Sequence, residues 1–247
     1  MSINTTFNYS PNFCSQKRSK KKIKFIIFHY TGMKKESEAI KRLTDIRSEV
    51  SSHYLIKNNG EIITLVPDLY IAWHAGKSKW KHYSSLNNNS IGIEISNPGH
   101  KFNYKNFSKK QINSLSRLSK FLIKEYNVHP ENILGHSDIA PSRKKDPGEK
   151  FPWKYLSKNK IGLWHGIKNQ ILISNRGRKI DNISHNFFLD NLFKIGYSKK
   201  IPKNITQQRH RVFTIRAFQR RYRQDLVNGK TDRECLLISQ NLIKYMR

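Results

Sequence analysis

The stretch Lys24 to Thr31, Lys-Phe-Ile-Ile-Phe-His-Tyr-Thr, constrains the fold more than any other part of the chain. Four consecutive apolar residues, two of them β-branched and two aromatic, show no alternation of apolar and polar positions. Such a run reads as a strand buried in a sheet, here with a polar end at His29. A second strand, Ile91-Gly92-Ile93-Glu94-Ile95, alternates cleanly. Three isoleucines fall on one face, with Glu94 beside Gly92 on the other. Between the two lie a helical period at Glu36 to Leu43, acidic in its first turn, and two short strands, Ser52 to Lys57 and Glu61 to Val66. Asn58-Asn59-Gly60 joins those strands as a hairpin, because Asn and Gly tolerate positive φ. Ser108 is placed to cap a long helix whose Leu115, Leu118, Leu122 and Tyr126 share one face. The fold class expected is α/β, a mixed central sheet flanked by helices.

Beyond Trp164 the texture changes. Gly162 to Lys179 carries glycines and polar residues with weak periodicity, whereas 185–195, 206–223 and 231–246 are helical in pattern. The expected organisation is a basic N-terminal tail at 1–22, an α/β domain at 23–164, a linker at 165–183 and a small all-helical C-terminal domain at 184–247.

Charge narrows the partners without choosing among them. Lys and Arg number 47 against 17 Asp and Glu, a formal net charge of +30. That excess favours polyanions such as nucleic acid, acidic polysaccharide or an anionic wall polymer. A chain rich in Lys, Asn and Ile, as AT-biased coding produces, accounts for part of the charge equally well. No zinc-finger, RRM or KH pattern is visible, so a specific nucleic-acid partner is not expected. The two cysteines, Cys14 and Cys235, exclude a disulfide framework and a thiolate metal site. No run approaches the roughly 20 apolar residues that span a bilayer. The basic cluster Lys17 to Lys22 has no apolar segment beside it. A signal was removed, export uses a signal not readable here, or the protein stays inside the cell.

Two imidazoles and a carboxylate, His29, His136 and Asp146, form an open zinc site if they converge, with the fourth tetrahedral position left for water. Each residue alone has an ordinary explanation: a strand-end histidine is commonly structural, and Asp before Pro commonly forms a turn. His29 closes one strand, His136 closes another expected strand, and Asp146 lies in an adjoining loop, where sites of covered sheets assemble. Glu94, an acidic residue in an apolar strand, is the candidate general base, or else a solvent-facing residue of an edge strand. Lys144 is placed to stabilise an oxyanion, or is one more lysine in a lysine-rich loop.

The stretches Phe28-His29-Tyr30-Thr31, Ser51-Ser52-His53-Tyr54, Ala72-Trp73-His74-Ala75-Gly76, Ser90-Ile91-Gly92-Ile93-Glu94, Gly135-His136-Ser137-Asp138-Ile139-Ala140-Pro141 and Lys144-Lys145-Asp146-Pro147-Gly148 together resemble the zinc-dependent N-acetylmuramoyl-L-alanine amidases of the AmpD/AmiD type. That family is related to peptidoglycan recognition proteins. The resemblance covers about Ile23 to Trp164, and Phe151-Pro152-Trp153 and Ile161-Gly162-Leu163-Trp164 match its AmiD branch. It implies Zn²⁺ held by His29, His136 and Asp146, with Glu94 as base and Lys144 as a second catalytic cation. Trp73 and His74 are expected to border the substrate cleft, and His53 is not expected to bind metal. The implied reaction is hydrolysis of the amide between the lactyl group of N-acetylmuramic acid and L-alanine. Peptidoglycan or muropeptides are the implied partners, and a monomer is expected. A non-catalytic recognition protein is the alternative. The C-terminal stretch Ile215 to Tyr222 with Asn228-Gly229-Lys230-Thr231 resembles a peptidoglycan-binding three-helix module, though with fewer glycines and aspartates in the turn. The family implies the cell envelope or periplasm, and cytoplasmic muropeptide recycling stays open.

Overall fold

The structure, a computed structural model, describes residues 3–246. The strands are β1 (Thr6–Phe7), β2 (Phe13–Cys14), β3 (Phe25–Tyr30), β4 (Tyr54–Ile56), β5 (Ile62–Thr64), β6 (Ile71–Ala72), β7 (Lys79–Trp80), β8 (Tyr83–Ser84), β9 (Ser90–Ile95) and β10 (Ile133–Gly135). The α-helices are α1 (Glu36–Thr44), α2 (Lys109–Tyr126), α3 (His136–Ile139), α4 (Trp153–Ser157), α5 (Asn169–Asn175), α6 (Asn182–Ile195), α7 (Gln207–Tyr222) and α8 (Arg233–Ile243).

Six strands form one mixed sheet in the order β1-β5-β4-β9-β3-β10. Only β4 and β5, the Asn-Gly hairpin, pair antiparallel within it; the other neighbours run parallel. The apolar run at β3 therefore sits between β9 and β10 at the sheet's interior, covered on both faces. Period two divides its side chains. Ile26 and Phe28 join Ile91, Ile93 and Ile95 beneath α2, where Leu115, Leu118 and Leu122 are fully buried. Ser108 caps α2 by accepting from the Gln111 N–H, and Gln111 returns a bond to the Ser108 N–H.

Phe25 and Ile27 face the other side, together with Leu134, and are covered by Phe188, Leu192 and Ile195 of α6, Ile215 and Phe218 of α7 and Ile238 of α8. At the other end of that face, Leu43 of α1 packs on Leu55, Ile63 and Leu65. His29 and Glu94 lie in register on neighbouring strands between these two patches.

Three details depart from the expected organisation. The stretch 1–22 carries β1, which extends the sheet beside β5, and β2, which pairs with β6. Arg18, read as part of a basic tail, is buried and donates to the carbonyls of Asp68 and Asn87. The stretch 165–183 contains α5, whose Leu172 belongs to the core shared by the sheet and the C-terminal helices. That shared core ties 184–247 to the sheet through apolar packing rather than leaving it across a free connection. Among the described residues no helix is long and apolar enough to cross a membrane.

Candidate active site

The expected ligands converge. His29 Nδ1, His136 Nδ1 and Asp146 Oδ2 stand 2.9, 3.1 and 3.0 Å from one another, all buried. His29 comes from the end of β3. His136 follows β10 directly as the first residue of α3, not as the end of a strand. Gly135 permits that turn, because a Cβ there would stand 2.7 Å from Pro147 Cδ. The Asp146 loop is fastened to α3 by the Ser137 N–H donating to the Asp146 carbonyl at 2.8 Å.

The surrounding hydrogen bonds fix where the protons are. Ser90 Oγ donates to the Leu86 carbonyl at 2.6 Å, so toward His74 Nε2, 3.1 Å away, it can only accept. His74 therefore carries its proton on Nε2 and presents a bare Nδ1. His29 Nε2–H donates to that Nδ1 at 3.0 Å, which leaves His29 Nδ1 bare. His136 Nε2 stands 3.1 Å from the Ala75 carbonyl and must donate to it, which bares its own Nδ1. Two imidazole lone pairs and a carboxylate oxygen thus face one another with no proton assigned between them. Three acceptors this close and this buried call for a cation, and the donor set, two nitrogens and one oxygen, suits zinc.

Burial, with His136 adding to it, pushes His29 down to about 4. With no cation present, burial would raise the Asp146 carboxyl, and it is a protonated His136, hydrogen-bonded to it beside His29, that outweighs burial and holds it well below the ordinary carboxylate range; a dication seated among the three atoms would take over that charge. Glu94 stands on β9, an interior strand and not an edge. Burial, with Asp146 adding to it and Lys144 opposing, pushes its carboxyl up to about 8, and its Oε2 has no hydrogen-bond partner. Lys144 is half-buried at the same cleft.

A pH dependence follows for chelator-treated protein. Glu94, raised above its unfolded value of about 4.3, contributes stability that is full below that value and lost as pH rises toward 8. His29, depressed from about 6.5, contributes stability that is full above 6.5 and lost as pH falls toward 4. From about pH 6.5 to 8 the His29 contribution is constant and the Glu94 contribution fades. Thermal melts in chelator at those two pH values should show the midpoint falling, and Glu94→Gln should flatten the fall. An equal slope in both proteins would remove Glu94 as its source.

The two other expected residues part company. His74 is buried beneath His29, and a Cβ at Gly92 would overlap its ring, so the glycine beside Glu94 makes room for it. Its main contact is the hydrogen bond that orients His29, although it also reaches the cleft. Trp73 is absent from the cleft's lining and sits with its indole N–H toward Cys14 Sγ at 3.4 Å. The cleft, about 860 Å³, is walled instead by Tyr30, Arg42, His100, Phe102 and Arg143 among others. Tyr30 adjoins His29 in the chain, which is the one local signal that could have placed it there. His100 gave no such signal; it reaches the wall through its bond to Tyr30 Oη at 2.9 Å.

A family model for N-acetylmuramoyl-L-alanine amidases matches residues 19–149. The chain is 37% identical over 238 residues to N-acetylmuramoyl-L-alanine amidase AmiD of Escherichia coli strain K12, covering 90% of this chain and 83% of that one. It is 39% identical over 104 residues to 1,6-anhydro-N-acetylmuramyl-L-alanine amidase AmpD of the same strain, covering 42% of this chain and 55% of that one. Among solved structures, E. coli AmiD in complex with the substrate anhydro-N-acetylmuramic acid-L-Ala-D-γ-Glu-L-Lys superposes with a TM-score of 0.78 at 36% identity, over 91% of this chain and 90% of that chain. AmpDh3 of Pseudomonas aeruginosa gives a TM-score of 0.78 at 30% identity, over 95% and 96%.

Proposed function

The chain belongs to the N-acetylmuramoyl-L-alanine amidase family and is an amidase of peptidoglycan, and on that premise we propose that it works as a zinc enzyme through His29, His136, Asp146, Glu94 and Lys144. The observation that carries this is the convergence of three bare acceptor atoms, His29 Nδ1, His136 Nδ1 and Asp146 Oδ2. When bound, zinc would supply Lewis acidity toward a carbonyl and acidify water. The residues do the rest. Glu94, facing the cleft with an unpartnered oxygen, takes the proton of the attacking water. A dication beside it would draw its raised pKa down toward neutrality, where a carboxyl both accepts and returns a proton well. The protonated Glu94 then delivers that proton to the leaving amine of L-alanine. Lys144 lines the same cleft within electrostatic reach of Glu94 and His29, and there its role is to hold the developing oxyanion.

The cleft fits a muropeptide. Its lining carries Lys34, Arg42, Lys101, Arg143, Lys144 and Lys145 against Glu38, Glu94 and Asp146. That balance suits a stem peptide bearing several carboxylates, and the volume accommodates more than one residue of it. The catalytic domain proposed here, 23–164, bears all five residues.

The test is hydrolysis of purified peptidoglycan and of soluble anhydro-muropeptides, following free L-alanine-terminated peptides. Release lost in chelator and restored by zinc supports the proposal. Release that is indifferent to a chelator which has demonstrably stripped the metal sinks it.

A further inference from the structure

The turn that presents His136 is held from outside the sheet. Asp138, two residues on from His136 within α3, is fully buried and accepts three hydrogen bonds. The Gly135 N–H donates to its Oδ2 at 2.8 Å, Arg221 Nη1 to the same oxygen at 2.6 Å, and Tyr197 Oη to its Oδ1 at 2.8 Å. Arg221 also donates from Nη2 to the Ile133 carbonyl at 2.8 Å. One guanidinium therefore grips both the first residue of β10 and the middle of α3, bracketing the turn in which His136 sits. Its own position is fixed by the Trp153 ring, 4.3 Å from the guanidinium carbon, and by Tyr222 at 5.0 Å. Asp138 and Arg221 are among the most buried charged side chains of the molecule, at 1% and 2% exposure.

A buried ion pair is a poor source of stability, because desolvation offsets most of the attraction. Its worth lies in geometry: a planar, bidentate donor has one arrangement that satisfies all its partners. We propose that Arg221 of α7, with Tyr197 beyond α6, is a positioning residue for the metal centre, so that the C-terminal helices hold His136 in the orientation that binds zinc. This rests on the zinc reading above. It assigns 184–247 a part in the centre itself, independent of any contact with the wall. His136 Nδ1 must lie 2.9 and 3.0 Å from its two partners while Nε2 reaches Ala75, and rotation of α3 would break all three contacts at once.

The experiment measures zinc affinity of the full chain by chelator competition, and the visible absorption of the cobalt-substituted protein, neither of which needs turnover. Four proteins are compared with the parent: Arg221→Lys, Arg221→Met, the double variant Asp138→Asn/Arg221→Met, and Arg176→Met. The double variant removes both charges, so no unpaired one is left buried. Arg176 pairs with Glu234 and Asp225 within the C-terminal helices and their flanks, away from the centre, and controls for lost stability alone. Zinc affinity should fall about 10- to 100-fold in the Arg221 variants, the range seen when a ligand's outer partner is removed, with an altered cobalt spectrum. Arg176→Met should leave both unchanged. Parental affinity and spectrum in folded Arg221→Lys and in the double variant would overturn the proposal, as would an equal fall in Arg176→Met. A parent chain that binds no zinc overturns the zinc reading instead.

Discussion

Glu94→Gln should lower turnover on muropeptides about 10²- to 10⁴-fold, the usual worth of a positioned general acid–base, while zinc stays bound. Gln matches the protonated carboxyl in shape, so the neutral amide suits the buried seat that pushes Glu94 up to about 8. Stability should therefore hold or rise at neutral pH, in contrast to the fall in rate. The substrate's KM should change little, because Glu94 acts on the water and the leaving amine rather than on the ground-state peptide. Single-turnover rates with zinc content measured on the same sample decide it. A loss below tenfold at full zinc occupancy would move the base elsewhere in the cleft.

What the sequence made readable follows from range. Strand β3 declared itself because Phe25 to Phe28 are all apolar, and β9 because Ile91, Ile93 and Ile95 alternate with Gly92 and Glu94. Period two separates Glu94 from Ile91, Ile93 and Ile95 within β9, but that Glu94 shares a face with His29 is set by the register of β3 against β9. The three ligands were readable as residue types in unusual contexts, together with the family resemblance. The rest depends on long-range pairing. Strand β1, two residues in a polar stretch, exists only because β5 offers it an edge. Arg18 looks like part of a basic cluster until Asp68 and Asn87 claim its donors. Arg221 sits among Arg216, Arg220 and Arg223, and nothing local distinguishes the one whose partner lies 83 residues away. His74 was placed at the cleft by resemblance, yet its role turns on a proton, which Ser90 and Leu86 fix and no spacing encodes.

Asp146→Asn separates the metal from the base. The carboxylate is the one anionic donor of the three, and in its buried seat it stays ionised against a positive charge, a protonated His136 or the metal in its place. An amide keeps the shape and one oxygen but takes away the negative charge facing a dication. If the metal supplies several kcal/mol of transition-state stabilisation, losing it costs about 10³-fold or more in rate at 1.4 kcal/mol per decade. Activity as purified should be near background, and zinc content should fall with it. Raising free zinc should recover part of the rate, because His29 and His136 still present their bare nitrogens. Glu94→Gln should show the opposite pattern: full zinc content and no rescue at any zinc concentration. The two substitutions thus distinguish a metal that does chemistry from one that only holds β3, α3 and the Asp146 loop together. Were Asp146→Asn to lose zinc yet keep its rate, the ion would be structural, and the chemistry would rest on Glu94 and Lys144 alone.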